Sequence, residues 1–261
     1  MPIIAGATLT AVKTLVEGGA DVAIAWDGGR CVRPPRLCVQ EPSHFWSTYA
    51  YRHHAQKSHA AGFCYVADIP LALLALKRTP ARPKIMYLDL DLHFSDGVSV
   101  PFSNSHTAFP SASRLLTLSI HHTSPGFYPS HPLASLTPLD TPDPYTLSIP
   151  LQRGASCKTF ERVWPSVERI KGAFEPDYVV VQCGVDGLSG DPMAIWNWNI
   201  DMSEKGSMGW ILNEIFGWRS RTLLLGGGGY NSPNAARAWT YLTAIAVCLY
   251  THVNPPPLPS L

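Results

Sequence analysis

Residues 84–96 read KIMYLDLDLHFSD, and here an apolar segment runs directly into acidic residues and a histidine. The segment Lys84–Leu92 has the composition of a buried strand. Because alternate residues of a strand share a face, Asp89, Asp91 and His93 are predicted to point one way and the leucines the other. Burying three such polar groups is costly unless something pairs them, and a divalent metal ion could do so.

Two interpretations of this polar strand end stay open when the motif is considered alone. Carboxylate oxygens and imidazole nitrogens suit zinc, and a catalytic zinc keeps three protein ligands and a water molecule. Alternatively, the acidic residues form a capping turn in which Asp96 and Gly97 are the turn residues.

Outward from this segment, predicted strands alternate with predicted helices along the chain. This alternation predicts an α/β fold with a mainly parallel sheet, in which sites collect at the carboxyl ends of strands. Polar clusters follow three of the predicted strands, at residues 89–96, 184–191 and 226–231. The predicted strands are Val22–Ala25, Lys84–Leu92, Leu115–Ile120, Thr146–Leu151, Tyr178–Gln182 and Thr222–Leu225; the predicted helices are Ala7–Glu17, Val66–Leu76, Cys157–Phe174, Glu204–Trp218 and Asn234–Tyr250.

Composition narrows the classes of function. The 261 residues are 46% hydrophobic, which is enough for one sizeable core, so we expect a single domain spanning 1–261. Lys and Arg number 20 against 19 for Asp and Glu, so direct binding to nucleic acid through phosphate contacts is not expected. The six cysteines form no C-x-x-C pair, which favours a reducing compartment. No apolar run is long enough to span a bilayer, so no membrane association is expected.

Three further motifs are weak signals individually. Asp186 lies in the glycine-rich loop 184–192, where it is either a third metal ligand or a turn residue. The adjacent histidines His53 and His54 are either surface residues or part of a site. Four glycines at 226–229 would allow the backbone to bring Tyr230 close to a ligand. A phosphate loop is disfavoured there because no Lys-Ser/Thr follows the glycines.

Taken in order, these motifs resemble the zinc-dependent histone deacetylases, nearest to the class I type. The resemblance extends from about Ile4 to about Thr251. It implies a three-layer α-β-α fold of the arginase/deacetylase kind, lacking the first strands of the family fold. The segments that carry it are RHHAQKSHAAGFCYVAD (52–68), YLDLDLHFSDGV (87–98), SIHHTSPGFYP (119–129), VQCGVDGLSGDPM (181–193) and LLLGGGGYN (223–231).

The resemblance also implies a set of metal ligands. Zinc would be held by Asp91, His93 and Asp186. Members of the family also bind a structural potassium ion near the segment 89–93, through its backbone and the residue that matches Ser119.

The catalytic residues implied by the resemblance follow the same motifs. His53 and His54 would lie beside the attacking water, and Asp89 and Asp96 would orient these histidines. Tyr230 would donate its hydroxyl to the substrate carbonyl. Two carboxylates behind two histidines allow the histidines to differ in pKa, which would separate the base from the acid.

Three residues match the walls of the family's acetyl-lysine tunnel, namely Gly62, Phe63 and Tyr128, the last standing where the family usually has phenylalanine. The implied function is hydrolysis of N6-acetyl-lysine in histone tails or other proteins, with repression of transcription through chromatin. A corepressor complex would be a partner, and the location would be the nucleus, with the cytoplasm as a second location. The alternatives are deacetylation of acetylpolyamines or other small amides, and an inactive, truncated deacetylase-like binding protein.

The sequence departs from the family pattern in three places. Where the family has His-His-Gly-Asp-Gly, this chain has His93, Phe94, Ser95, Asp96 and Gly97. Phe94 and Ser95 are not expected to bind zinc. Residues 30–52 form an atypical insertion just before the paired histidines, and either an intron retained in frame or an error in the gene model would explain its composition. The chain also begins about a hundred residues late relative to family expectation.

Overall fold

The computed structural model describes residues 2–28, 54, 55, 61, 66–103, 114–136 and 143–251. The predicted insertion 30–52 lies outside these described residues.

Within the described residues, six strands form one parallel sheet. Their order across the sheet is β1-β6-β5-β2-β3-β4, and every neighbouring pair is parallel. The strand β2 lies between β5 and β3, so the motif that follows it emerges near the middle of the sheet. The strands are β1 (Val22–Ala25), β2 (Ile85–Asp89), β3 (Leu115–His122), β4 (Thr146–Leu151), β5 (Tyr178–Gln182) and β6 (Arg221–Leu225).

Helices cover both faces of the sheet. The first three helices contribute side chains such as Leu15 and Leu73 to one buried apolar cluster. The last three contribute side chains such as Phe160 and Leu242 to the other. The sequence-based prediction of a three-layer α/β fold with a parallel sheet is therefore confirmed. The helices are α1 (Pro2–Val16), α2 (Asp68–Lys77), α3 (Asp96–Ser103), α4 (Cys157–Phe174), α5 (Met208–Gly217) and α6 (Ser232–Thr251).

The strand β2 shows why a parallel sheet forms here. All five of its residues are buried, and consecutive side chains alternate between the two apolar clusters. Ile85 and Tyr87 belong to the cluster under α1–α3, whereas Met86 and Leu88 belong to the cluster under α4–α6. A strand buried on both faces needs helices on both faces, which parallel βαβ connections supply.

Predicted and observed bounds agree for β1, β4, β5 and α4. Two helices begin elsewhere than predicted, α1 at Pro2 rather than Ala7 and α5 at Met208 rather than Glu204. Among the strands, the main difference is at the end of β2, which was predicted to run to Leu92 and ends at Asp89. The reason is local. Carboxylate oxygens in this segment accept hydrogen bonds from backbone N–H groups, which are then not paired with a neighbouring strand. Asp89 Oδ1 accepts from Asp91 N at 2.9 Å, and Asp91 Oδ1 accepts from His93 N at 3.0 Å. The leucines at 90 and 92 nevertheless remain buried in the core, as predicted.

Helix α3 was not predicted, and one of the two open interpretations of this segment made Asp96 and Gly97 turn residues. The segment has only 8 residues and contains Pro101, so it offers little helical periodicity to detect. The backbone carbonyl of Ser95 accepts from the N–H groups of Val98 and Ser99, at 3.1 Å and 2.7 Å. Asp96 therefore begins a helix rather than a simple turn.

In the part of the chain that the structure describes, no helix combines the length and the hydropathy needed to cross a membrane.

Two leucines of α2 allow a matched test of the core. Leu73 is fully buried, whereas Leu71 is 43% exposed. We expect Leu73→Ala to lower the free energy of unfolding by about 2–5 kcal/mol, because it removes transfer energy and leaves a cavity. Leu71→Ala, the control, should cost less than about 1 kcal/mol. Denaturant unfolding measures both, and equal losses would contradict the assignment of the buried face of α2.

Candidate metal centre and active site

The polar clusters predicted from the sequence meet at the carboxyl edge of the sheet. In the register of the three central strands, Asp89 of β2 pairs with Gln182 of β5, and Gln182 pairs with Leu225 of β6. The segments that follow these residues therefore leave the sheet side by side. They carry the metal-ligand candidates after β2 and β5, and the glycine run with Tyr230 after β6.

Three buried side chains converge here: Asp91, His93 and Asp186. One ligand atom from each lies within 4.8 Å of the others. His93 Nδ1 is 3.2 Å from Asp91 Oδ1 and 3.0 Å from Asp186 Oδ2. Each side chain is at most 2% exposed, so water does not solvate the two carboxylates.

The remaining carboxylate oxygens are held by donors of the protein. Asp91 Oδ2 accepts from Gly228 N at 2.7 Å and from Gln182 Nε2 at 3.1 Å. Asp186 Oδ1 accepts from Leu92 N at 3.0 Å. Each aspartate thus has one oxygen held by N–H groups away from the imidazole, and its other oxygen lies against the His93 ring. The backbone N–H of His93 also donates to Asp91 Oδ1.

The electrostatics of this cluster favour a cation. Burial, and then the charge of Asp91, raises the pKa of Asp186 to about 7. Burial alone would lower the pKa of His93, but hydrogen bonds to Asp186 and Asp91 outweigh it and the net pKa is raised. Both shifts indicate that buried negative charge is unfavourable in this cluster unless a positive charge balances it. Two carboxylate oxygens and one imidazole nitrogen form a donor set that fits zinc with an open fourth position.

Glycines allow the loops to approach these carboxylates. A Cβ at Gly184 would lie 2.0 Å from Asp91 Oδ2, and a Cβ at Gly228 would lie 2.3 Å from Asp186 Oδ2. Both positions therefore require glycine for a close approach rather than for a turn. The glycine run after β6 serves the same purpose as the glycine after β5.

A histidine–aspartate pair lies beside the triad. His54 is fully buried, and its Nδ1 is hydrogen-bonded to Asp96 Oδ1. The His54 ring centroid is 6.3 Å from that of His93 and 4.9 Å from that of Tyr128. Tyr128 is 44% exposed, so it extends from the buried ring of His54 to the surface. Tyr230 packs against Ala55, the residue that follows His54.

Asp89, the expected partner of His53, is not one of the three residues of the triad. Asp89 is fully buried and accepts from Tyr87 Oη at 2.5 Å and from Asp91 N at 2.9 Å. His53, together with the expected tunnel residues Gly62 and Phe63, lies outside the described residues, so these expectations stay untested.

Sequence reasoning missed several residues that hold the site. Tyr87 donates to Asp89, and Gln182 donates to Asp91 and accepts from Gly184 N at 2.9 Å. Tyr87 could have been found, because it lies two residues before Asp89 on the same strand face. Nothing in the sequence marks Gln182 as a neighbour of Asp91, since sheet order alone makes them adjacent. Phe127, stacked on His93 with ring centroids 4.9 Å apart, was also missed.

The other residues singled out from the sequence lie near the site without joining the triad. Ser119 is buried, and its Oγ is 3.0 Å from His121 Nδ1. Phe94 is buried with its ring 4.9 Å from that of His121. Ser95, just before α3, bonds through its Oγ to Ser99 Oγ of α3 at 3.0 Å.

Fold and site together define a class of protein: a three-layer α/β protein with a candidate divalent-metal centre at the carboxyl edge of its parallel sheet. The sequence matches the histone deacetylase domain family over residues 2–246. It is 37% identical over 245 residues to Histone deacetylase 8 of Xenopus laevis, and 39% over 244 residues to Histone deacetylase 8 of Danio rerio. It is 33% identical over 245 residues to Histone deacetylase clr6 of Schizosaccharomyces pombe. The chain belongs to the histone deacetylase family.

The three comparisons differ in how much of each protein they cover. They span 94%, 92% and 93% of this chain, but 64%, 54% and 51% of the Xenopus, Danio and Schizosaccharomyces proteins. The chain thus spans between about half and two thirds of the length of these relatives. The match assigns the family of the chain, and does not by itself assign an activity to it.

A glycine pair tests the close packing around the triad. We expect Gly184→Ala to abolish zinc binding, because its Cβ would overlap Asp91 Oδ2 at 2.0 Å. Gly172→Ala is the matched control, since a Cβ there meets nothing within 4 Å. Zinc content after dialysis, with circular dichroism to verify folding, measures the effect. Full zinc occupancy in a folded Gly184→Ala protein would contradict the proposed ligand geometry.

The pKa of Asp186 predicts how pH affects the zinc-free protein. Its pKa is raised to about 7 in the folded state, whereas the unfolded value is about 3.9. The folded state therefore binds more protons than the unfolded state between these values, and stability declines as pH rises from about 4 to about 7. The raised pKa of His93 acts in the same direction.

Denaturant unfolding of zinc-free protein at pH 5, 6, 7 and 8 measures this dependence. The decline should be reduced in Asp186→Asn, which cannot titrate at that position. Added zinc should reverse the trend, because it binds the deprotonated ligands and so binds more tightly as pH rises. A zinc-free protein that gains stability between pH 5 and 7, relative to Asp186→Asn, would contradict the assigned direction.

Proposed function

We propose that this chain is the catalytic part of a zinc-dependent protein lysine deacetylase, which hydrolyses the amide of N6-acetyl-lysine. The observation that carries the proposal is the convergence of Asp91, His93 and Asp186 beside the His54–Asp96 pair. The names of the relatives, all histone deacetylases, support acetylated histone tails or other acetyl-lysine proteins as the substrates.

Zinc would be held by His93 Nδ1, Asp91 Oδ1 and Asp186 Oδ2, the atoms that face one another in the buried cluster. When bound, zinc polarises a carbonyl group and lowers the pKa of water towards ~7, which an amide substrate needs because it is a poor electrophile. The donors on the opposite carboxylate oxygens, from Gly228, Gln182 and Leu92, keep these ligand atoms in place before any substrate arrives.

His54 would move protons during hydrolysis. With its Nδ1–H donated to Asp96, the neutral ring presents Nε2 as its acceptor atom. Nε2 would accept a proton from the attacking water, and an imidazolium would later protonate the amine of the departing lysine. His53 with Asp89 would form the second pair, so that one histidine serves as base and the other as acid.

Tyr230 would stabilise the developing oxyanion. Its position on the loop after β6, packed against Ala55, brings its ring next to the residue that follows His54. A phenol O–H that donates to the substrate oxygen stabilises the tetrahedral state more than the ground state, which is how such donors accelerate acyl transfer.

An acetyl-lysine side chain would reach this site along aromatic walls. Tyr128 extends from the ring of His54 to solvent, and Phe127 stacks on His93 beside it. Gly62 and Phe63 are the proposed opposite wall. The hydroxyl of Tyr128 makes the wall slightly more polar than the phenylalanine that the family usually has there.

The biological setting belongs to the same proposal. Repression of transcription through chromatin, in the nucleus and within a corepressor complex, fits a deacetylase of histone tails. The net charge of +1 favours recruitment by protein partners over direct binding to nucleic acid. A structural potassium ion beside Ser119, a single domain spanning 1–261 and the insertion at 30–52 remain parts of this proposal.

The decisive experiment loads the purified chain with zinc and measures turnover of an acetyl-lysine peptide and of an acetylpolyamine. We expect one zinc per chain and hydrolysis of the peptide in preference to the polyamine. Preference for the polyamine would assign the chain to small-amide deacetylation. Bound zinc without turnover of either substrate would leave a binding role and refute the proposed activity.

A second prediction concerns Tyr230. Tyr230→Phe should keep its zinc and lower kcat about 10²–10³-fold, because it removes one oxyanion donor. Tyr178→Phe is the control. Tyr178 is buried at the start of β5, the end away from the site, and its Oη accepts a hydrogen bond from Arg221 at the start of β6. Steady-state kinetics and metal analysis measure both variants, and unchanged turnover in Tyr230→Phe would remove Tyr230 from the mechanism.

A further inference from the structure

Asp191 connects the loop that carries a metal-ligand candidate to the loop that carries Tyr230. It lies five positions after Asp186 and is 7% exposed. Its Oδ2 accepts from Tyr230 N at 2.6 Å and from Asn231 N at 3.4 Å. Its Oδ1 accepts from Met193 N at 2.9 Å, so both carboxylate oxygens hold backbone N–H groups.

Two other bonds hold the Tyr230 loop at Gly228, one to the loop after β5 and one to the segment after β2. Val185 N donates to the carbonyl of Gly228 at 2.7 Å, and Gly228 N donates to Asp91 Oδ2 at 2.7 Å. Gly229, whose φ is +148°, separates Gly228 from Tyr230 in the chain. Because glycine is flexible, fixing Gly228 alone does not fix Tyr230. The bond from Asp191 supplies the anchor on the far side of this flexible position.

A cavity next to this junction increases the importance of the anchor. The cavity has a volume of about 360 Å³ and is lined by Asp191, Asn231, Asn234, Val185 and Trp198, among others. Asn231 borders this cavity, so within the described residues the loop has no protein neighbour on that side of Asn231. The hydrogen bonds that Tyr230 N and Asn231 N donate to Asp191 hold the loop at this point.

We propose that Asp191 is a positioning residue, which sets the Tyr230 phenol relative to the metal ligands by bridging their two loops. This inference rests on the proposed role of Tyr230 as oxyanion donor. A shift of the Tyr230 backbone would move the phenol away from the oxyanion position, and misplacement by about 1 Å can cost on the order of 100-fold in rate.

A carboxylate suits this position better than an amide. Asp191 faces N–H donors on both of its oxygens, whereas an asparagine has one acceptor oxygen and one NH₂ group. In Asp191→Asn, the NH₂ group would face the N–H of either Tyr230 or Met193, and two donors cannot form a hydrogen bond with each other. The variant thus keeps the volume of the side chain while breaking one side of the bridge.

The test compares Asp191→Asn, Tyr230→Phe and the double variant, each loaded with zinc. We expect Asp191→Asn to lower kcat about 10- to 100-fold with KM and zinc content nearly unchanged. The double variant should turn over no more slowly than Tyr230→Phe alone, because Asp191 acts through the phenol. Multiplicative losses in the double variant would overturn the proposal. Should Asp191→Asn not fold, Asp191→Ser is substituted, with the same expectation.

Asp143→Asn is the matched control. Asp143 accepts from Tyr145 N at 2.9 Å and from Thr146 Oγ1 at 2.8 Å, where β4 begins. Like Asp191, it accepts a hydrogen bond from the backbone N–H two residues further along the chain. Asp143 precedes β4, however, whereas Asp191 follows β5, so the two lie at opposite edges of the parallel sheet. Asp143→Asn should leave kcat within about twofold of the unsubstituted chain, as expected for an independent site.

Hydrogen exchange separates failure of this inference from failure of the proposed function. In the unsubstituted chain, peptides covering residues 226–231 should exchange slowly, and Asp191→Asn should accelerate their exchange at least tenfold. Asp143→Asn should not change it. If no deacetylase turnover is found, accelerated exchange still supports the bridge, whereas unchanged exchange in Asp191→Asn refutes it whatever the activity.

Discussion

Two aspartates buried around one histidine are the constraint on which the rest of this structure depends. Carboxylates without water are unfavourable, and the raised pKa of Asp186 expresses that cost. The protein offsets part of it with N–H donors from Gly228, Gln182 and Leu92, which occupy one oxygen of each carboxylate. The remaining oxygens and His93 face one another, and a divalent cation bound there would balance their charge.

This constraint accounts for features of the chain that otherwise seem unrelated. Donors can reach the buried oxygens only if the loops after β2, β5 and β6 approach closely, which requires glycine at 184 and 228. The strand β2 ends at Asp89 because the following carboxylates take backbone N–H groups for themselves. Asp191, bound to the backbone of Tyr230, extends the same principle to a loop that carries a proposed catalytic group.

Family membership and geometry support each other in assigning the site, while leaving different questions to experiment. The histone deacetylase match covers residues 2–246, including every residue of the metal triad. The geometry adds what identity percentages do not contain, namely which atoms face one another and which donors hold them. It joins His54 to Asp96 through Nδ1, which leaves Nε2 as the atom that would exchange protons with a substrate in the proposed function.

The sequence by itself determined the fold class, the four element bounds that match and the identity of the triad, because strand periodicity and motif order are local properties of the chain. It also placed the three polar clusters at strand ends, where a parallel sheet gathers them. Only the tertiary structure decided that β5 lies between β2 and β6, and so brings Gln182 to Asp91 and Asp191 to Tyr230. Such contacts join residues as far as 91 positions apart, and no local pattern encodes them, since they arise from the order in which strands pair.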